Sequence, residues 1–169
     1  MSATFAACAS SGTVYIPQPF PTPGGNAGPA APAAPVATVA SVASAAGADG
    51  YALSGTALSF RGAPYREGGV DPNGFDCSGF VRYVYEQHGV RMPRLVRDQF
   101  RVGKSVDRDR LEPGDLVFFS TVTPGASHVG IMIGGDQFVH APSEKGVVRV
   151  ESLAAQYWAT RYVGAKRVS

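Results

Sequence analysis

The apolar positions of this chain change their period once. Phe80, Val81, Val84 and Tyr85 recur at three- and four-residue steps, the spacing of a helix with one buried face. Asp76 stands at the N-cap position of that helix, and Gly89 followed by Pro93 ends it. A shorter helix is predicted over 51–62, closed by Gly62 and weakened by Gly55, and another through Val96–Phe100, stopping at Gly103. After Gly103 the period becomes two. Leu116–Phe119, Val129–Ile133, Gln137–His140, Val147–Val150 and Arg161–Arg167 read as short strands joined by turns containing Gly and Pro. A helical turn or two is expected over 152–158. Helices first and strands afterwards give an α+β domain, with N-terminal helices packed on a five-stranded antiparallel sheet.

Composition divides the chain more sharply than periodicity does. Residues 1–50 hold one charged side chain, Asp49, with seven of the 13 prolines and fifteen alanines. Proline removes backbone donors and alanine buries little area, so this segment is expected to be a disordered Pro/Ala-rich tether ahead of a folded domain over 51–169. All 15 basic side chains and 12 of the 13 acidic ones lie in the domain, a net +3 there. That is too little for a nucleic-acid binder, and no apolar run reaches the length of a spanning helix. One soluble domain, expected to be monomeric, fits 169 residues.

Two cysteines carry different signals. Cys8 follows small residues, as in a bacterial lipobox, without the positive start and apolar stretch of a complete export signal. It is either a lipidation site, and so a membrane anchor, or an incidental cysteine in a tail. Cys77 follows the predicted N-cap. A thiol in the first turn of a helix faces unpaired amides and the positive end of the helix dipole, which favour thiolate. Asp76 opposes this, so a second stabiliser is expected, most naturally an imidazolium.

Three histidines are available. Alternation places His128 and Met132 on one face of their strand and Val129, Ile131 and Ile133 on the other. His140 returns on the next strand after the tight Gly134-Gly135-Asp136 connection, and a mild register offset or a bulge brings the two rings together. With the Cys77 helix on that sheet face, His128 is the expected general base and His140 its orienting partner, an arrangement for acyl transfer. The Cys77 amide and the Tyr65 hydroxyl are candidate oxyanion donors. Two alternatives stay open: Cys77 as a small core side chain, and a zinc site of Cys77, His128 and His140. His88, beside Gly89, reads as structural, and Arg91, Arg94, Arg97 and Arg101 as a solvated face.

Gly62-Ala-Pro-Tyr65, Gly68-Gly69, Asp76-Cys-Ser-Gly-Phe80, Pro93-Arg94, Gln99, Leu111-Glu-Pro-Gly-Asp-Leu116, His128-Val-Gly-Ile131 and Phe138-Val-His-Ala-Pro142 stand in order along 55–169. Together they resemble the NlpC-type papain-like cell-wall peptidases, and most of all the murein endopeptidase lipoproteins among them. The resemblance implies a circularly permuted papain-like fold, no metal and no cofactor. It also implies a cysteine endopeptidase acting on peptidoglycan stem peptides or cross-links, at D-alanyl– or γ-D-glutamyl–meso-diaminopimelate bonds, in the cell envelope or secreted. By position, Cys77, His128 and His140 are its catalytic residues, Tyr65 assists the oxyanion, and Asp76 and Ser78 line the substrate pocket. A non-catalytic wall-binding module of the same fold is the alternative, and acyl transfer to an amine or lipid a third reading.

Overall fold

The computed structural model describes residues 49–142 and 146–168. The tether predicted over 1–50, apart from Asp49 and Gly50, and the candidate lipidation site Cys8 lie outside the described residues. Asp49 caps the first helix, α1 (Gly50–Ser59), by accepting from the Tyr51 amide at 3.0 Å. A short hairpin of β1 (Val70–Asp71) and β2 (Gly74–Phe75) leads into α2 (Cys77–Gln87), and α3 (Val96–Gln99) follows. Then come β3 (Lys104–Val106), a single 3-10 turn, β4 (Leu116–Phe119), β5 (His128–Gly134), β6 (Gln137–His140), β7 (Arg149–Ser152), α4 (Gln156–Ala159) and β8 (Tyr162–Arg167).

All the expected strands form, in one antiparallel sheet ordered β3-β8-β4-β5-β6-β7, so the domain is α+β. A sixth strand, β3, joins the five expected from alternation. It spans three residues, of which Lys104 and Ser105 are exposed, too short for alternation to register. The strand expected at Val147–Val150 is displaced to Arg149–Ser152. Val147 bridges to Pro64, and Val148 exchanges backbone hydrogen bonds with Gly62 and Ala63 at 2.9 and 2.8 Å, so the loop before β1 claims these two residues.

Apolar side chains cover both faces of the sheet. On one face Leu53 and Ala57 of α1 and Phe80, Val81, Val84 and Tyr85 of α2 pack against Leu116, Phe118, Val129, Ile131 and Val139. On the other, Val117, Phe119, Met132, Phe138 and Ala165 are closed over by Leu153 and Trp158. The helix of Cys77 therefore lies on the Val129 and Ile131 face, whereas the sequence suggested the histidine face. The large apolar stripe of α2 demands the larger hydrophobic surface, and His128, Gly130 and Met132 present the smaller one. In the Leu111–Leu116 motif, Asp115 is buried and structural. It accepts from Arg167 Nε at 2.7 Å and from the Glu112 amide at 2.8 Å, tying the start of β4 to β8.

The β5–β6 hairpin contains the expected irregularity. Gly134 pairs with Gln137, but Met132 pairs with Phe138 and Ile131 with Val139, so Ile133 is an extra residue on β5. Directly paired residues share a face and neighbours alternate. Without the bulge, His140 would lie opposite Ile131, on the helix side. With it, His140 lies opposite Gly130 and shares a face with His128. Gly130 is needed there: a Cβ at this position would come 2.5 Å from Phe138 Cδ2. The Phe138 ring is packed against Phe119, His140 and Trp158 at centroid distances of 5.0 to 5.2 Å and has no free direction. Gly130→Ala is expected to lower stability by about 1–3 kcal/mol, read as a drop in the urea midpoint. An unchanged midpoint would show that the Phe138 layer yields freely.

Candidate active site

Cys77 is the first residue of α2. Asp76 caps the helix: its Oδ1 accepts from the Gly79 amide at 2.7 Å and its carbonyl from the Phe80 amide at 2.9 Å. Cys77 has no disulfide partner among the described residues and is partly exposed. The amides of Ser78, Val129 and Cys77 itself face the sulfur and favour thiolate. They do not prevail. The protein packed around the thiol, and then the Asp76 charge, push its pKa up to about 11. The Val129 amide belongs to the residue after His128, so the sulfur lies against the beginning of β5 although α2 occupies the opposite sheet face.

His128 and His140 are both buried. His128 Nε2 and His140 Nδ1 are 2.7 Å apart, with the rings nearly perpendicular. Each ring thus spends one nitrogen on the other, the geometry of a donor and an acceptor and not of two ligands around a common ion. Burial pushes His128 down to about 4 and His140 to about 2, the latter helped by positive charge on His128 and on Arg149, its partner across β6 and β7. A resting thiolate–imidazolium pair was the expectation. The environment instead disfavours charge on the thiol and on the imidazole, so the neutral form of each is favoured.

Trp158, which pattern reading passed over, covers both rings. It stacks on His128 at 5.5 Å and 25° and meets His140 edge-on at 5.0 Å. Its being the chain's single tryptophan was the one available signal, because 152–158 has no periodicity.

Tyr65 sits in the loop that bridges to Phe75, with its amide bonded to the Gly146 carbonyl at 2.8 Å. Partial burial raises its phenol pKa, and negative charge on Cys77 and Asp76 adds to the rise. Arg94 departs from the solvated face read from its spacing. It is ion-paired to both Asp76 oxygens and donates to Ser78 Oγ at 2.8 Å, whereas Arg91, Arg97 and Arg101 are exposed. The helix α3 begins only at Val96, so Arg94 is not on a face with them. Buried Gln99 donates to the Ser78 and Pro93 carbonyls at 3.0 and 2.8 Å and binds the Arg94 loop to the start of α2. His88 ends α2 and contacts Thr56 Oγ1 at 2.8 Å, a structural tie.

The fold and site define a class: a mixed α+β domain with a cysteine at a helix start and a buried imidazole pair on adjoining strands. Residues 62–167 match the NlpC/P60 family, and the chain belongs to it. It is 46% identical over 110 residues to the murein DD-endopeptidase MepS/murein LD-carboxypeptidase of Escherichia coli K12, which are 64% of this chain and 57% of that protein. It is 42% identical over 118 residues to the probable endopeptidase NlpC of the same organism, 69% of this chain and 76% of that one. Among solved structures, the NlpC/p60 domain of the peptidoglycan hydrolase SagA aligns with a TM-score of 0.64 at 37% identity, covering 71% of this chain and 99% of that one. The chain thus spans little more than half the length of the first of these relatives.

Proposed function

We propose that the protein is a cysteine-type peptidoglycan endopeptidase that hydrolyses amide bonds in stem peptides or cross-links. The observation that carries the reading is the 2.7 Å contact between His128 Nε2 and His140 Nδ1 beside the strand start where the sulfur lies.

With His128 as the base, one tautomer follows from that contact. For His128 to take the thiol proton, Nδ1 must carry the lone pair, so its own proton sits on Nε2 and is donated to His140 Nδ1. His140 must then be neutral and protonated on Nε2, a buried atom without a partner among the described residues. Burial and the Arg149 charge hold it neutral. When His128 accepts the proton, its Nε2–H still points at the same acceptor, and nothing has to reorganise.

As Sγ attacks the carbonyl, the S–C bond forms and the proton passes to His128 Nδ1. The oxyanion takes hydrogen bonds from the Cys77 amide and the Tyr65 hydroxyl. Collapse breaks the C–N bond, and the departing nitrogen takes the proton back from Nδ1. Water, activated by the same imidazole, then cleaves the thioester and restores the thiol. Asp76, Ser78 and the Arg94 side chain that joins them form a polar wall beside the nucleophile for the acyl part of the substrate.

Such a substrate places the protein in the cell envelope or outside the cell, with Cys8 as the lipid anchorage and the Pro/Ala-rich segment as its tether. No described helix is long and apolar enough to cross a membrane. Digestion of purified sacculi, followed by mass spectrometry, tests the reading. Soluble muropeptides whose masses show the addition of water are expected, with unchanged yield in chelator. Binding without release, or products extended by an amine, would overturn it.

A further inference from the structure

A cleft of about 650 Å³ opens beside the histidine pair. His128, Trp158, Arg149, Glu151, Tyr157 and Val122 line it, while Cys77, Tyr65, Asp76 and Arg94 do not. It therefore opens along a part of His128 that the nucleophile and its polar wall do not line. In amide hydrolysis the departing nitrogen must reach the proton held on His128, so the fragment attached to that nitrogen continues past the imidazole. The cleft is where that fragment goes.

Its charge is specific. Arg149 is paired with His140 and Glu151 with Phe138 across β6 and β7, which sets both side chains on the histidine face of the sheet. Arg149 Nε donates to Glu151 Oε1 at 2.7 Å, and its two terminal nitrogens have no partner among the described residues. Glu151 thus fixes the guanidinium plane and leaves the outer pair of N–H groups for a second carboxylate, in the fork-to-fork manner arginine favours. Resting on the hydrolase reading above, we propose that this cleft is the leaving-group subsite and that Arg149 binds a carboxylate borne on the carbon next to the scissile nitrogen.

The substrate class follows. The favoured leaving group is an amino acid or peptide whose acylated amine stands beside its own free carboxylate. A D-alanyl–diaminopimelate cross-link releases such an amine. A γ-D-glutamyl–diaminopimelate bond within a longer stem releases one whose neighbouring carbonyl is already in an amide. The site is thereby biased toward the cross-link.

The test compares cross-linked muropeptide dimers carrying that carboxylate with the same dimers amidated there. The wild-type protein is expected to favour the acid by tenfold or more in kcat/KM, mainly through KM. Arg149→Gln is expected to bring the ratio to within about twofold of unity, and Arg149→Lys to leave an intermediate ratio. Equal use of both dimers by wild type, or an undiminished ratio in Arg149→Gln, would overturn the assignment.

Trp158 lines the cleft and is the single tryptophan, so its fluorescence gives a reading independent of turnover. In the Cys77→Ala protein, meso-diaminopimelate should produce a saturable change that its diamide does not, and Arg149→Gln should abolish it. Identical responses to acid and diamide would also overturn the proposal. Should wild type cleave neither dimer, the hydrolase reading fails and the titration alone decides the subsite.

Discussion

Cys77→Ala is expected to lower muropeptide release from sacculi by 10³-fold or more while leaving the domain folded, because no other side chain supplies a nucleophile at this site. Cys77 is partly exposed at the edge of the core and alanine keeps its Cβ, so the variant should match wild type in circular dichroism and to within about 1 kcal/mol in stability. Its cap is untouched: the Gly79 amide still finds Asp76. Release that persisted in Cys77→Ala would reject thiol chemistry outright. The chemistry also implies slow modification in the free enzyme, since a thiol pushed up to about 11 presents little thiolate at neutral pH.

Trp158→Ala is expected to produce the largest combined effect on stability and pH dependence. The indole is buried against Phe119, Phe138 and both histidines, and removing it should lower stability by about 3 kcal/mol or more. It should also let water reach two rings whose low basicity is caused by burial. His128 would then rise from about 4 toward the usual 6.5. A protonated His128 cannot accept the thiol proton, so the acid limb of kcat/KM should move upward with it. At pH 5 the variant should lose about 30-fold relative to its own rate at pH 8, where wild type loses little.

The same shift acts on folding. A histidine with a depressed folded pKa binds fewer protons than the unfolded chain between 6.5 and 4. Wild-type stability should accordingly be complete above pH 6.5 and decline as pH falls through that window, by about 3 kcal/mol for His128 alone. The slope should flatten in Trp158→Ala and be retained in Trp158→Phe, which keeps an aromatic cover. An acid limb that stayed in place in Trp158→Ala would mean that other groups keep the histidines dry.

The elements legible from the chain were those with local causes. Asp76, the apolar steps from Phe80 to Tyr85 and Gly89 delimit α2 to within a residue or two, since cap, stripe and stop all lie inside it. Alternation sorted β5 correctly: Val129 and Ile131 are in one core, Met132 in the other. What alternation could not reveal was which face the heavier helix would take, because that depends on how much apolar area each sheet face offers. Arg94 was hidden by its spacing from Arg91 and Arg97, which resembles a helix face until the pairing with Asp76 is seen. Trp158 was missed for want of any pattern around it; the contact that matters comes from strands earlier in the chain. The Gly62–Tyr65 loop likewise withdrew Val147 and Val148 from the sheet through a pairing that no nearby residue announces.

The supernumerary Ile133 makes the β5–β6 hairpin a device that counts in twos. An insertion or deletion between Met132 and Phe138 that shifted the pairing by one would send one imidazole to each side of the sheet, whereas a shift by two would keep them together. Length variation at this turn therefore keeps both rings on one face only where a bulge or the turn itself absorbs an odd residue, as Ile133 is absorbed here, or where the pairing shifts by two.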